Sequence, residues 1–115
     1  MMISKELLKG SVKSIVLKVL AEHDNMYGYE LTQKIEKISE GSIKLTFGAL
    51  YPILHKLESD GDVITESETV NNRVRVYYKL TKKGNETARV KIRELMEYIN
   101  IIQKLIGRDY GLAMS

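Results

Sequence analysis

Arg73-Val74-Arg75-Val76-Tyr77-Tyr78-Lys79-Leu80 alternates without a fault. Val74, Val76, Tyr78 and Leu80 fall on one face of an extended chain and Arg73, Arg75, Tyr77 and Lys79 on the other, the period of a half-buried β-strand. Immediately upstream stand Asn71-Asn72, and asparagine tolerates the positive φ that a tight hairpin tip requires. Residues 62 to 68 are β-branched or polar and supply the partner strand. A two-stranded hairpin with one basic face is therefore expected here.

Working outward, helical periodicity surrounds the hairpin. Leu8, Val12, Ile15, Val16, Val19 and Leu20 recur at spacings of three and four and predict one amphipathic helix over residues 5 to 21. Asn25 is expected to cap a second helix with Tyr29, Leu31, Ile35 and Ile38 inward, ending near residues 39 to 41. A third helix is expected from Thr46 to Asp60, with Leu50, Leu54 and Leu57 inward, Thr46 as the capping hydroxyl and Gly61 as terminator. Pro52 should kink this helix without breaking it. After the hairpin, Thr81 caps a long last helix that Gly107 stops. Its residues Ala88, Ile92, Leu95, Ile99, Ile102 and Ile106 step by four and three, a heptad seam, and Met96, Ile101 and Leu105 widen the apolar surface. With only two strands to cover it, this helix calls for a second subunit.

Composition narrows the function. The chain has 115 residues, the size of a single domain, with 43% hydrophobic and 29% charged residues, the mix of a globular protein. No apolar run approaches the ~20 residues of a membrane span, and the first residues lack an apolar signal core, so a cytoplasmic protein is expected. There is no cysteine, which removes disulfides, thiolate metal sites and cysteine nucleophiles. His23 and His55 have no metal-ligand partners at suitable spacing, no serine or glycine motif of an enzyme is present, and the acidic residues Glu58, Asp60, Asp62, Glu66 and Glu68 read as a solvated edge. No catalytic site, metal or cofactor is expected. The net charge of +3 hides an asymmetry: residues 69 to 93 hold eight basic residues and one acidic residue, leaving the rest of the chain at −4. Such concentration points to an anion-binding face.

Three helices followed by a basic hairpin and a long helix make a mainly α winged helix-turn-helix. Residues 1 to 81 would form the DNA-binding unit, 82 to 107 the dimerisation helix and 108 to 115 a tail, in one compact unit. In such a fold the third helix enters the major groove of double-stranded DNA by its N-terminal end, here Lys44, Thr46, Phe47, Gly48 and Tyr51, with Gly48 permitting close backbone approach. Arg73, Arg75 and Lys79 on the wing would neutralise phosphates. The alternative weighed is a winged-helix protein-interaction module in which the basic wing meets an acidic partner.

Three motifs carry a resemblance: Tyr27-Gly28-Tyr29-Glu30-Leu31; Gly48-Ala49-Leu50-Tyr51-Pro52-Ile53-Leu54, with Leu57-Glu58 and Gly61; and Tyr77-Tyr78-Lys79-Leu80-Thr81, with Gly84. In this order and spacing the chain resembles the PadR family of bacterial and archaeal regulators, in particular the smaller subgroup with a single C-terminal helix. The resemblance implies a dimer that represses nearby genes from an inverted-repeat operator and is released by a small molecule or stress signal. It places Tyr27, Thr46, Tyr51 and Lys79 at or near DNA. It assigns the dimer to the first and last helices, hence to Leu8, Val12, Ile92, Leu95, Ile99, Ile102 and Ile106. At the wing tip the chain reads Asn71-Asn72-Arg73 where members often carry glycine or proline. With no tryptophan, the chain offers little for an aromatic stacking pocket, and no effector is named.

Overall fold

Tyr78 sets the relation between hairpin and helices: its ring is buried, and so is the side chain of Leu80 two residues on, while Lys79 between them is exposed. The computed structural model describes residues 1–107. Its elements are α1 (Lys5–Leu8), α2 (Val12–Ala21), β1 (Met26–Tyr27), α3 (Gly28–Ile38), α4 (Phe47–Ser59), β2 (Val63–Val70), β3 (Arg73–Leu80) and α5 (Lys82–Ile106). This is the expected winged helix-turn-helix, mainly α with a small antiparallel sheet.

The core takes the predicted stripe of the third helix whole and the others in part, with Leu17 added. Val16, Leu17 and Leu20 of α2, Leu31 and Ile35 of α3, and Leu50, Leu54 and Leu57 of α4 meet Val63, Tyr78 and Leu80 of the sheet and Ala88 of α5. Thr46 caps α4 by accepting a hydrogen bond from the Ala49 amide at 3.1 Å, and the helix runs on through Pro52. Asn71 and Asn72 take φ values of 51° and 64°, the two positive dihedrals of a type I′ hairpin turn. The wing tip thus closes on asparagines where glycine is the commoner solution.

Several expectations are corrected. The first helix is broken in two, because Gly10 adopts φ +94° and turns the chain between α1 and α2. The apolar spacing runs across this break because both pieces bury their inner side. Asn25 does not cap the second helix: Tyr27 holds the N-cap position, and its amide donates to Glu30 Oε1 at 3.3 Å. The displaced residues form a third strand, with Met26 opposite Tyr78 and Tyr27 opposite Tyr77, giving the order β1-β3-β2. Two residues are too few to show an alternation in sequence. Tyr29 and Ile38 are 60% and 63% exposed. The inward stripe of α3 is Gly28, Leu31, Thr32 and Ile35 instead, since the Phe47 ring fills the space a side chain at position 28 would need. Val74 and Val76 keep the parity of Tyr78 but are exposed, because the hairpin reaches past the helices that cover its base.

The wing is pinned where it enters α5. Thr81 donates its hydroxyl to the Gly61 carbonyl at 2.7 Å and accepts from the Gly84 amide at 2.9 Å, capping α5. Its own amide donates to the carbonyl of Asp62 at 3.0 Å. Asp62 is buried, and its carboxylate accepts from the Thr87 hydroxyl at 2.6 Å. A Cβ at Gly84 would stand 1.8 Å from the Asp62 carbonyl oxygen, so only glycine fits this crossing.

Burial, reinforced by the nearby Tyr51 and Glu58, holds the Tyr78 phenol above its ordinary value of 10.0. The folded state thus favours the neutral phenol. Its contribution to stability is whole below the ordinary tyrosine range and is lost as pH rises through the folded value. Denaturant unfolding measured from pH 8 upward should show stability falling above about pH 10, and Tyr78→Phe should make that fall shallower. An alkaline limb of unchanged slope in Tyr78→Phe would show that the phenol is not its source.

Candidate nucleic-acid interface

The first turn of α4 presents its side chains outward because Thr46 closes the helix end and Leu50 and Leu54 turn to the core. Phe47, Gly48 and Tyr51 are exposed, as an amphipathic helix requires of the opposite face. Phe47 meets Tyr51 edge-on with centroids 5.8 Å apart, and Tyr51 stacks on His55 at 5.9 Å, so successive turns carry a run of rings. Rings held in this way lose little side-chain freedom on meeting a partner.

Across from this turn stands the wing. The Tyr27 ring, placed by β1 pairing, lies edge-on to Tyr77 at 5.6 Å, and the Arg75 guanidinium sits 4.6 Å above the Tyr27 ring centre. The negative face of the ring attracts the guanidinium and orients Arg75 without taking it out of water. Tyr77, with Tyr27 and Glu68, holds the guanidinium above its already high ordinary value, so it stays charged wherever the protein is folded. Between the two sides runs a groove of about 330 Å3 bordered by Tyr27, Tyr29, Phe47, Tyr51, Val74 and Arg75.

The nominated residues are therefore not all together. Tyr27, Tyr51 and Arg75 line one groove, with Gly48 exposed on the same first turn of α4. Lys44 and Thr46 line a separate cleft beside the entry to α4. Arg73 is exposed next to the hairpin tip, and Lys79 lies four residues beyond Arg75, about 13 Å along the strand. Tyr29, placed inside by the sequence reading, borders the groove. The cross-strand register adds two acidic neighbours: Glu68 stands opposite Arg75 and Glu66 opposite Tyr77. The outer face of the wing is consequently less basic than β3 alone, a fact that only the pairing partner reveals.

Among the candidate dimer residues, Leu8 is buried in the chain's own packing, and Val12 and Ile92 are partly buried against the core. Leu95 and Ile102 are half-buried, and Ile99 and Ile106 are exposed. Among the described residues no cluster of three or more metal-ligating side chains exists, and no helix is long and apolar enough to cross a membrane.

A helix-turn-helix with its reader helix and basic wing bordering one groove defines a winged-helix DNA-binding regulator. The chain's residues 16–90 match the model of the transcriptional regulator PadR-like family, and the chain belongs to that family. It is 32% identical over 80 residues to the transcriptional regulator Rv3488 of Mycobacterium tuberculosis, covering 70% of this chain and 71% of that one. A solved PadR family regulator from Eggerthella lenta is 26% identical, with TM-score 0.74 over 90% of this chain and 88% of its own. The fold also matches a transcriptional regulator of Clostridium thermocellum with TM-score 0.80 at 24% identity, over 90% of this chain and all of that one. The protein is thus a DNA-binding transcriptional regulator and not an enzyme.

At Gly48 folding and binding can be tested apart. A Cβ there meets only Thr46 Oγ1, at 3.8 Å, so the fold itself does not demand glycine. Gly48→Ala should raise unfolding stability by about 0.5–1 kcal/mol, because alanine is the better helix former, and should weaken duplex binding about tenfold, ~1.4 kcal/mol. Gly84→Ala should instead lose about 1–3 kcal/mol by overpacking. Thermal melts and gel shifts on both variants check this, and unchanged DNA affinity in Gly48→Ala would remove position 48 from the interface.

Proposed function

We propose that the chain acts as a cytoplasmic homodimer that represses transcription by holding an inverted-repeat operator, and that a small molecule or stress signal releases it. The observation that carries this reading is the shared groove: the first turn of α4 and the wing border one space, with Arg75 oriented over Tyr27. Lys44, Thr46, Gly48 and Tyr51 would meet the duplex at the reader helix, Tyr27 at the start of α3, and Arg73, Arg75 and Lys79 from the wing. Phosphate contacts supply affinity and the helix in the groove supplies specificity.

The dimer reading rests on the far half of α5. The near half packs along α2, but Ile99, Ile101, Leu105 and Ile106 are exposed, with Leu105 at 76%. An apolar strip of this length on one helix favours a second copy as its cover. Residues 82–107 then join two DNA-binding units of residues 1–81. The tail assigned to residues 108–115 lies outside the described residues. In a two-fold dimer the reader helices must stand about 34 Å apart, one duplex turn, to engage both half-sites.

Nuclease protection on fragments around the gene, run beside sedimentation of the same protein, tests this. The expected result is a dimer that protects an inverted repeat and loses affinity steeply as salt rises. Replacing Arg73, Arg75 and Lys79 by glutamate should abolish protection and leave the dimer intact. A monomer, or protection that survives the triple replacement, would contradict the proposal, the second in favour of a protein-docking wing.

A further inference from the structure

A second cleft, of about 240 Å3, lies where α1 and the start of α2 face the residues leading into α4. Its walls are aliphatic: Leu8 and Val12 on one side, Leu45, Ala49 and Ile53 on the other. Three lysines, Lys5, Lys9 and Lys44, complete the lining, and all three are exposed. Lys9 donates its amide to the Lys5 carbonyl at 3.0 Å, so the two stand one helical turn apart. No carboxylate and no aromatic ring lines the cleft. The remaining member is Thr46, whose hydroxyl caps the reader helix.

We infer that this cleft binds an aliphatic monoanion, a short hydrocarbon chain ending in one carboxylate, and that its occupancy opposes DNA binding through Lys44 and Thr46. The coupling rests on the function proposed above; the binding does not. Aliphatic walls favour a hydrocarbon tail, because burying methylenes is what such a surface rewards. A bare phosphate, whether free or in a DNA backbone, would leave those walls wet. Three lysines without a counter-charge select an anionic head and reject a cationic one. The lack of rings gives a flat aromatic ligand nothing to stack on. The volume lies below the ~300 Å3 at which sites for larger ligands begin, so the tail must be short. A carboxylate held at Lys44 removes a cation from the entry to the reader helix, at the point where a duplex phosphate would need it.

Calorimetric titration of the full chain without DNA tests the site, with octanoate, hexanoate and octylamine as probes. Octanoate should bind, hexanoate about sixteenfold more weakly at about fourfold per methylene, and octylamine not measurably. The doubly substituted Lys5→Glu, Lys9→Glu protein changes two exposed side chains outside the proposed duplex contacts, and should bind octanoate at least about tenfold more weakly. Ala49→Leu, which fills the cleft without altering charge, should also abolish binding. Octylamine binding as well as octanoate, or octanoate binding untouched in both variants, would overturn the site. In gel shifts with a protected duplex, octanoate should weaken DNA binding, and saturating duplex should weaken octanoate by the same factor. Octanoate bound without any effect on the duplex would overturn the coupling. If no duplex is bound at all, the function proposed above fails while the calorimetry still decides the cleft.

Discussion

The register of β3 is the constraint on which the interface depends. Tyr78 and Leu80 must face the core, and strand parity then sends Arg73, Arg75, Tyr77 and Lys79 to the other side. A slip of one residue would bury Lys79 without a partner and expose the Tyr78 ring, exchanging a favourable term for the large penalty of an unpaired buried charge. Three devices hold the register. The Asn71-Asn72 turn closes one end, the Asp62, Thr81 and Gly84 crossing closes the other, and β1 lies along the free edge near the base. Because β1 leads directly into α3, the same pairing that steadies the wing also places Tyr27 under Arg75.

Stability and recognition draw on different parts of the chain. The fully buried leucines Leu17, Leu20, Leu31, Leu50, Leu54 and Leu57 carry the fold, each worth about 1.5–3 kcal/mol on full burial. The ion pairs are exposed and sit within single helices, such as Lys18 with Glu22 and Lys56 with Asp60, so each adds little. Phe47 and Tyr51 expose rings that burial would have rewarded, as a surface kept for a partner does. The register also sets a limit on charge. With Glu68 across from Arg75, part of the positive charge that the wing would offer a duplex is offset.

What could be read from the residues follows from signal length. The hairpin was legible because eight residues alternate, and α4 because its leucines step by four and three between a threonine cap and a terminating glycine. The break at Gly10 was hidden by apolar spacing that continues through it, and β1 by its length of two residues. Tyr29 was misplaced because Gly28, not a tyrosine, faces the Phe47 ring. The reader helix and wing residues were nameable one by one, but that Tyr27, Tyr51 and Arg75 share a groove while Lys79 stands apart depends on tertiary packing. The acidic partners Glu66 and Glu68 depend on a cross-strand register that no single strand encodes.

In the proposed complex the wing, the start of α3 and the first turn of α4 meet one duplex together, with the distal part of α5 turned away from it. Backbone amide resonances followed during titration with a duplex test this residue by residue. The prediction is that shifts gather at residues 27–29, 46–51 and 73–77 and leave residues 99–106 unmoved. Shifts confined to residues 99–106 or to the β2 residues 64–68, with the first turn of α4 silent, would contradict it.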